Sequence, residues 1–144
     1  MAFCTLLGPV SPRVGRRALR VAAPSVRVPC GFPSSADDYV ERAVDLQRLL
    51  VTNAQATYLL RAEGRSMESA GIRENDLLVV DCSAEARDGR VVVAVVDGGL
   101  TVKRVRGPKG GQWLEGDGPR GPVRVPGGEA HVWGVVCYVI HVPD

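Results

Sequence analysis

A serine and a lysine in this 144-residue chain have the types and spacing for nucleophilic chemistry. Ser66 lies in Gly64-Arg65-Ser66-Met67, just beyond a strand-like run, and Lys103 lies inside another run at residues 100–105. A serine hydroxyl becomes a good nucleophile only when a nearby base takes its proton. A lysine on a strand can be that base if burial lowers its pKa.

The lysine must be neutral to accept a proton. Near pH 7 this requires its usual pKa of about 10.4 to fall by about 3, which corresponds to roughly 4 kcal/mol. Val102 and Val105 are compatible with an apolar strand environment that would supply this bias. The alternative is that Lys103 and Arg104 form one solvated basic edge, and strand periodicity alone does not exclude it.

Spacing disfavours three other serine mechanisms. A nucleophile elbow needs glycine two residues after the serine, where this chain has Glu68. A Ser-x-x-Lys dyad needs lysine at the position of Ser69. A Ser-His-Asp triad could use only His131 or His141, and both lie in the last apolar run, where a structural histidine is the simpler interpretation. A distant Ser–Lys pair remains.

Composition separates a basic arm from a mildly acidic domain. The net charge of +2 is too small to indicate nucleic-acid binding by itself. The first 36 residues carry five arginines, five prolines and no acid, which predicts an extended, mobile arm. The length then suits one domain beyond the arm. No apolar run approaches the roughly 20 residues of a membrane span, and Arg20 and Pro24 interrupt any twin-arginine signal at Arg16-Arg17.

The four cysteines, Cys4, Cys30, Cys82 and Cys137, are far apart in the sequence. They form no Cys-x-x-Cys or His-Cys cluster of the kind that binds zinc. Free thiols in a reducing cytosol are the simplest interpretation. We therefore expect a cytoplasmic protein without a metal or other cofactor.

Hydrophobic patterning predicts a mainly β fold: a compact domain of mostly antiparallel strands with one short helix. The helical pattern covers residues 38–52, with Asp45 as a capping residue and Leu46, Leu49 and Leu50 on one face. Strands are predicted at residues 56–62, 77–81, 90–96, 100–105, 112–115, 123–125 and 131–142. Asp97-Gly98-Gly99 predicts a hairpin between two of them.

Several motifs in their order along the chain resemble the LexA/UmuD family of self-cleaving Ser–Lys peptidases. They are Gly64-Arg65-Ser66-Met67, Gly71-Ile72, Asp76-Leu77-Leu78-Val79-Val80-Asp81 and Thr101-Val102-Lys103. Gly31-Phe32-Pro33-Ser34, Asp38-Tyr39-Val40-Glu41, Asp45-Leu46, Ala56-Thr57-Tyr58 and Gly134-Val135-Val136 are also similar to the family. The resemblance covers about residues 30–142, and the combined spacing is its specific part. It implies a β domain like those of LexA and signal peptidases.

The resemblance also implies a reaction. This family cuts itself after a small residue and before glycine, upstream of the peptidase domain, and Cys30-Gly31 fits that pattern. Lys103 would accept the proton of Ser66, which would attack the Cys30 carbonyl, while backbone N–H groups near Ser66 would hold the oxyanion. Residues 1–30 would then be a cleavable arm and residues 31–144 the peptidase-like domain. Asp76 is expected to brace the site through hydrogen bonds and Met67 to pack.

The implied cellular role is SOS mutagenesis after DNA damage. A RecA–single-stranded-DNA filament would stimulate cleavage, the chain would form a homodimer, and the trimmed form would serve an error-prone Y-family DNA polymerase of the UmuC type. Thirty proline-broken residues cannot supply a helix-turn-helix, so sequence-specific DNA binding is not expected. A non-catalytic polymerase or recombinase interaction module, and the detached peptidase half of a phage-type repressor, stay open as alternatives.

Overall fold

Short valine-rich runs between turns form antiparallel β-strands, as predicted. The computed structural model describes residues 3–9, 20–24, 41–118, 121–125 and 130–144. The strands are β1 (Phe3–Pro9), β2 (Arg20–Pro24), β3 (Glu41–Asp45), β4 (Thr57–Glu63), β5 (Leu77–Asp81), β6 (Val91–Val96), β7 (Gly99–Arg106), β8 (Gln112–Glu115), β9 (Val123–Val125) and β10 (His131–Ile140). Helical structure in these ranges comprises α1 (Leu46–Leu50) and a single 3₁₀ turn (Glu68–Ala70).

The chain divides into two units, one of Met1–Pro12 with Asn53–Asp144 and one of Arg13–Thr52. The first unit holds an eight-stranded sheet in the order β1-β4-β5-β10-β6-β7-β8-β9. An additional pairing of Phe3 with Thr101 joins β1 to β7, which closes six of these strands into a ring. A ring protects the backbone groups of strands that would otherwise lie at a sheet edge.

In the second unit, the helix is shorter than predicted. Residues 41–45 form β3, which pairs with β2, and only Leu46–Leu50 are helical. Pairing with β2 uses the backbone groups that a longer helix would need. The predicted cap is confirmed, because Asp45 Oδ1 accepts hydrogen bonds from the N–H groups of Gln47 at 3.0 Å and Arg48 at 3.3 Å.

The segment predicted as an extended arm contributes two strands, β1 and β2. Apolar and polar residues do not alternate clearly in this segment, so the sequence pattern did not reveal the two strands. β1 finds its partner, β4, some fifty residues later in the chain. The division at residue 30 stays a prediction, because residues 25–40 lie outside the described ranges.

Two clusters of buried side chains form the core of the first unit, and they lie on opposite faces of the same strands. In β6, Val93 belongs to one cluster, while Val92 and Ala94 belong to the other. In β7, Val102 packs into the first cluster and Val105 into the second. A strand buried on both faces reads as a continuous apolar run, which explains the valines of β6.

The predicted hairpin joins β6 to β7. Asp97 and Gly98 both have positive φ angles, +51° and +79°, as a two-residue type I′ turn requires. The turn sets the register that places Lys103 opposite Val92. Within the described ranges, no helix is long and apolar enough to cross a membrane.

Candidate active site

Ser66 lies on a tight turn between β4 and β5. The chain leaves β4 at Glu63 and passes Gly64, whose φ is +87°. Immediately after Ser66, the side chain of Met67 is buried in the core, and Ile72 is buried at the far end of the 3₁₀ turn. These two apolar anchors hold the short segment that carries the serine, so packing is confirmed as the role of Met67.

Lys103 lies near the middle of β7 and is buried, with only 7% of its surface exposed. The neighbouring Arg104 is partly exposed, and its Nη1 donates a hydrogen bond of 2.7 Å to the carbonyl oxygen of Gly89. The two basic residues therefore do not form one solvated edge. The interpretation of Lys103 as a buried lysine on a strand is the one the structure supports.

Gly116, directly after β8, lies beside both the backbone of Ser66 and the terminus of Lys103. Arg104 pairs with Glu115 across β7 and β8, and extending that register places Lys103 opposite Gly116. A Cβ atom added to Gly116 would lie 3.0 Å from Lys103 Nζ and 3.5 Å from the carbonyl oxygen of Ser66. Both residues thus approach the same glycine, and its missing side chain leaves room for the lysine terminus.

The Ser66 side chain is enclosed. Ser66 is 9% exposed, and its Oγ is buried without a hydrogen-bond partner in the described part of the chain. Buried polar atoms normally have hydrogen-bond partners, and a catalytic role is one explanation for an exception. A hydroxyl held in this way can take up a partner during a reaction.

The segment that follows β8 also binds the serine turn. The N–H of Asp117 donates to the Ser66 carbonyl oxygen at 2.8 Å. The Asp117 carboxylate accepts hydrogen bonds from the N–H of Ser69, at 2.8 Å, and from the Ser69 hydroxyl. These bonds from Ser69, followed by the nearby charges of Arg104 and Lys103, hold the pKa of Asp117 below its usual value.

Asp76 forms hydrogen bonds, as predicted, where the chain returns from the Ser66 turn to β5. Its buried carboxylate accepts a hydrogen bond from the N–H of Arg73 at 2.8 Å, and its other oxygen lies 2.6 Å from Nδ1 of His141. The second ring nitrogen of His141 lies 3.5 Å from Arg73 Nη1. The imidazole is thereby engaged away from Ser66 Oγ. His131 is exposed at the start of β10.

Two cavities flank the Ser66 turn. A small one of about 140 Å³ adjoins the segment after β8 and is lined by Met67, Ser69, Arg104, Arg106, Glu115, Gly116 and Asp117. A wider one of about 720 Å³ is lined by three arginines, four acids, His141 and neighbouring residues, but by neither Ser66 nor Lys103. Ser66 and Lys103 do not line the smaller cavity either, but Met67 and Gly116, which adjoin them, do, so the smaller cavity is the one beside the buried pair.

Cys30 and Gly31 lie outside the described residues, so the cleavage site stays a prediction. Cys4, Cys82 and Cys137 are free thiols. Burial, with a smaller contribution from the charge of Glu63, raises the pKa of Cys4 to about 11. No group of three or more potential metal ligands occurs among the residues with described positions.

Comparison with known proteins identifies the family of this fold and site. The peptidase S24-like family matches residues 23–137, which is most of the chain. The chain belongs to the peptidase S24 family. The resemblance to LexA/UmuD proteins inferred from the motifs is thereby confirmed, and so is the expected β domain.

Individual relatives agree with this assignment. The chain is 40% identical over 116 residues to Protein ImpA of Escherichia coli, covering 80% of this chain and 79% of that protein. It is 43% identical over 79 residues to Protein MucA of Escherichia coli, covering 55% of this chain and 54% of that protein. It is 45% identical over 91 residues to LexA repressor 1 of Xanthomonas axonopodis pv. citri (strain 306), covering 63% of this chain and 45% of that protein.

Sequence reasoning missed Gly116 and Asp117. Both lie in a glycine-rich stretch that reads as an ordinary turn between two short strands. Their position beside Ser66 depends on the pairing of β8 with β7. A small residue directly opposite a strand lysine was the available signal, but it is visible only once the register is known.

Proposed function

We propose that this chain is a self-cleaving peptidase that cuts its own Cys30-Gly31 bond, with Ser66 as nucleophile and Lys103 as general base. The single observation that carries the proposal is the approach of a buried serine and a buried lysine to the same glycine, Gly116. Membership of the peptidase S24 family supports the reaction class.

The reaction divides into two transfers. Neutral Lys103 takes the proton of Ser66 Oγ, and the oxygen attacks the carbonyl carbon of Cys30. Backbone N–H groups at or beside Ser66 stabilise the oxyanion. The protonated lysine then gives its proton to the departing nitrogen of Gly31, which leaves Cys30 as an ester on Ser66.

Water completes the reaction. Lys103 accepts a proton from the water molecule, which attacks the ester carbonyl, and returns that proton to Ser66 Oγ as the acyl C–O bond breaks. The products are a fragment of residues 1–30 and a trimmed chain that begins at Gly31. Cys30 is small, and Gly31 has no side chain to obstruct approach to the scissile carbonyl.

The family and its relatives support a cellular role for the proposed reaction. The protein acts in the cytoplasm as a UmuD-like SOS mutagenesis protein. A RecA–single-stranded-DNA filament stimulates its cleavage. The trimmed form is a homodimeric accessory subunit of an error-prone translesion polymerase of the Y family. The exposed apolar side chains of Val139 and Ile140 near the end of β10 are compatible with a protein interface.

Intact mass spectrometry tests the reaction. The wild type is incubated with an activated RecA filament, and separately without it at alkaline pH. Ser66→Ala and Lys103→Ala are compared with Lys109→Ala, which removes a lysine from the exposed loop after β7. We expect a product beginning at Gly31 in the wild type and in Lys109→Ala, and an intact chain in the other two.

Three results would contradict the proposal. A reproducible cut elsewhere with Cys30-Gly31 intact would reject the cleavage site. Normal cleavage in folded Lys103→Ala would reject the base. An intact wild type under all conditions would favour the non-catalytic interaction module.

A further inference from the structure

The segment after β8 leaves room for the lysine terminus and also contacts the Ser66 turn. Gly116, Asp117 and Gly118 run past the Ser66 turn, and a Cβ atom at Gly118 would lie 3.7 Å from Cβ of Ser66. The same three residues lie next to Lys103 through Gly116. One short segment therefore contacts both members of the proposed pair.

Asp117 binds the serine turn at two places. Its N–H group donates to the carbonyl oxygen of Ser66, before Met67. Its carboxylate accepts from the N–H and the hydroxyl of Ser69, after Met67. Three hydrogen bonds thus join Asp117 to the turn, one at the carbonyl of the proposed nucleophile and two at Ser69, three residues later.

We propose that Asp117 is a positioning residue that clamps the Ser66 turn to the end of β8 and so keeps Ser66 beside Lys103. The role of Asp117 in the reaction rests on the proposed self-cleavage. The hydrogen bonds that form the clamp do not depend on it. Asp117 acts through the Ser66 turn, because its hydrogen bonds go to the Ser66 carbonyl oxygen and to Ser69 and not to Ser66 Oγ.

Met67 and Ile72 anchor the turn in the core, and Asp117 adds hydrogen bonds between the turn and the segment after β8. The 3₁₀ turn is only three residues long, and it contains no buried side chain of its own. A small displacement of a nucleophile from its base slows a reaction strongly, since a misplacement of about 1 Å can cost on the order of 100-fold.

The carboxylate suits this task because it only accepts hydrogen bonds when ionised. The bonds from Ser69 lower the pKa of Asp117, so the group is ionised throughout the neutral and alkaline range where a lysine base operates. Asp117 is exposed to solvent, and its contribution to global stability is therefore small. We expect Asp117 to affect the position of Ser66 relative to Lys103 instead.

Cleavage rates test the role in the reaction. Asp117→Ala should slow cleavage by at least about tenfold. Asp117→Asn retains one acceptor oxygen for the Ser69 N–H and should recover a large part of the rate. Ser69→Ala removes only the hydroxyl bond and should have a smaller effect than Asp117→Ala. Asp88→Ala is the matched control, because Asp88 also accepts a backbone hydrogen bond, from the Gly107 N–H at 2.9 Å, in an exposed loop.

Hydrogen exchange tests the clamp without any cleavage. In the uncut Ser66→Ala chain, adding Asp117→Ala should accelerate exchange of the Ser69 amide, whereas adding Asp88→Ala should not. Unchanged exchange would overturn the clamp. Faster exchange with a wild-type cleavage rate in Asp117→Ala, or no recovery in Asp117→Asn, would overturn the positioning role. If the wild type never cleaves, the proposed function fails, and exchange alone still decides whether the clamp exists.

Discussion

At the scale of single residues, burial decides which serine and which lysine can react. Ser66 and Lys103 are both nearly inaccessible to solvent and approach the same glycine. Lys109, by comparison, projects from an exposed loop, where its Nζ lies 3.7 Å from Glu85. A lysine in water stays charged near neutral pH, and only a buried one can be shifted toward the neutral base.

The pH dependence of unassisted cleavage should reveal this base. Lys103 must be neutral to accept a proton, so the rate should rise by about tenfold per pH unit until the lysine is deprotonated, and then level off. Intact mass spectrometry of the wild type between pH 7 and 10 measures this profile. A rate that falls as the pH rises through this range would contradict a base that must first lose a proton.

Gly116 should be intolerant of a side chain. In Gly116→Ala, the new methyl group would lie 3.0 Å from Lys103 Nζ and 3.4 Å from its Cδ, so the lysine terminus must move. We expect cleavage to slow by at least about tenfold. Gly111→Ala is the control, because its nearest neighbour is the Pro108 oxygen at 3.9 Å. Equal cleavage rates in the two variants would show that Gly116 does not shape the site.

At the scale of elements, hydrogen bonds tie the turn between β4 and β5 to two distant strands. Asp117 connects it to the end of β8, and Asp76 connects its return path to His141 after β10. The turn is thus supported at two points by residues that are 48 and 65 positions away in sequence from their partners. Such support explains how three residues of 3₁₀ helix can present a nucleophile.

Replacing Asp76 should destabilise this element. Asp76→Ala removes the acceptor of the Arg73 N–H and the partner of His141, which should lower the free energy of unfolding by about 2 kcal/mol. Glu74→Ala is the control, because Glu74 is exposed and should change stability by less than about 0.5 kcal/mol. Urea unfolding in the uncut Ser66→Ala background measures both. Equal midpoints would mean that the Asp76 bonds contribute no net stability.

At the scale of the whole molecule, β1 links the amino-terminal segment to the proposed reaction. β1 pairs with β4 along its length, and Cys4 packs against the core. A cut between Cys30 and Gly31 would leave β1 held by non-covalent pairing alone. The pairing of β1 with β4 would become intermolecular and would lose the high effective concentration that a continuous chain provides.

Cys4 should report this change. Its pKa of about 11 keeps the thiol neutral at pH 8, and thiolates are the species that alkylating reagents attack. In the uncut Ser66→Ala chain, alkylation should be at least about tenfold slower than in a synthetic peptide of residues 1–30. After cleavage of the wild type at micromolar concentration, Cys4 should react like the peptide. Protection that persists after the cut would show that β1 stays on β4.

Much of the fold was predictable because its strands are local patterns. The boundaries of β5, β8 and β9 agree with the predicted ones, and those of β4, β6, β7 and β10 differ by at most two residues at either end. Each of these runs is rich in valine or other strand-forming residues and ends at a turn. β1, β2 and β3 were missed because their pairing is not encoded in a local pattern, and β3 carries residues that equally suit a helix.

The sequence by itself determined the chemistry available to this protein: a serine after one strand, a lysine within another, a small residue before glycine upstream, and the family that combines them. Only the tertiary structure decided that Lys103 is buried and that Gly116 and Asp117 lie against Ser66. The physical reason is that residue type and spacing set which reactions are possible, whereas burial and register arise from pairings between β7 and β8 and between distant turns. Those contacts exist only once the sheet has closed.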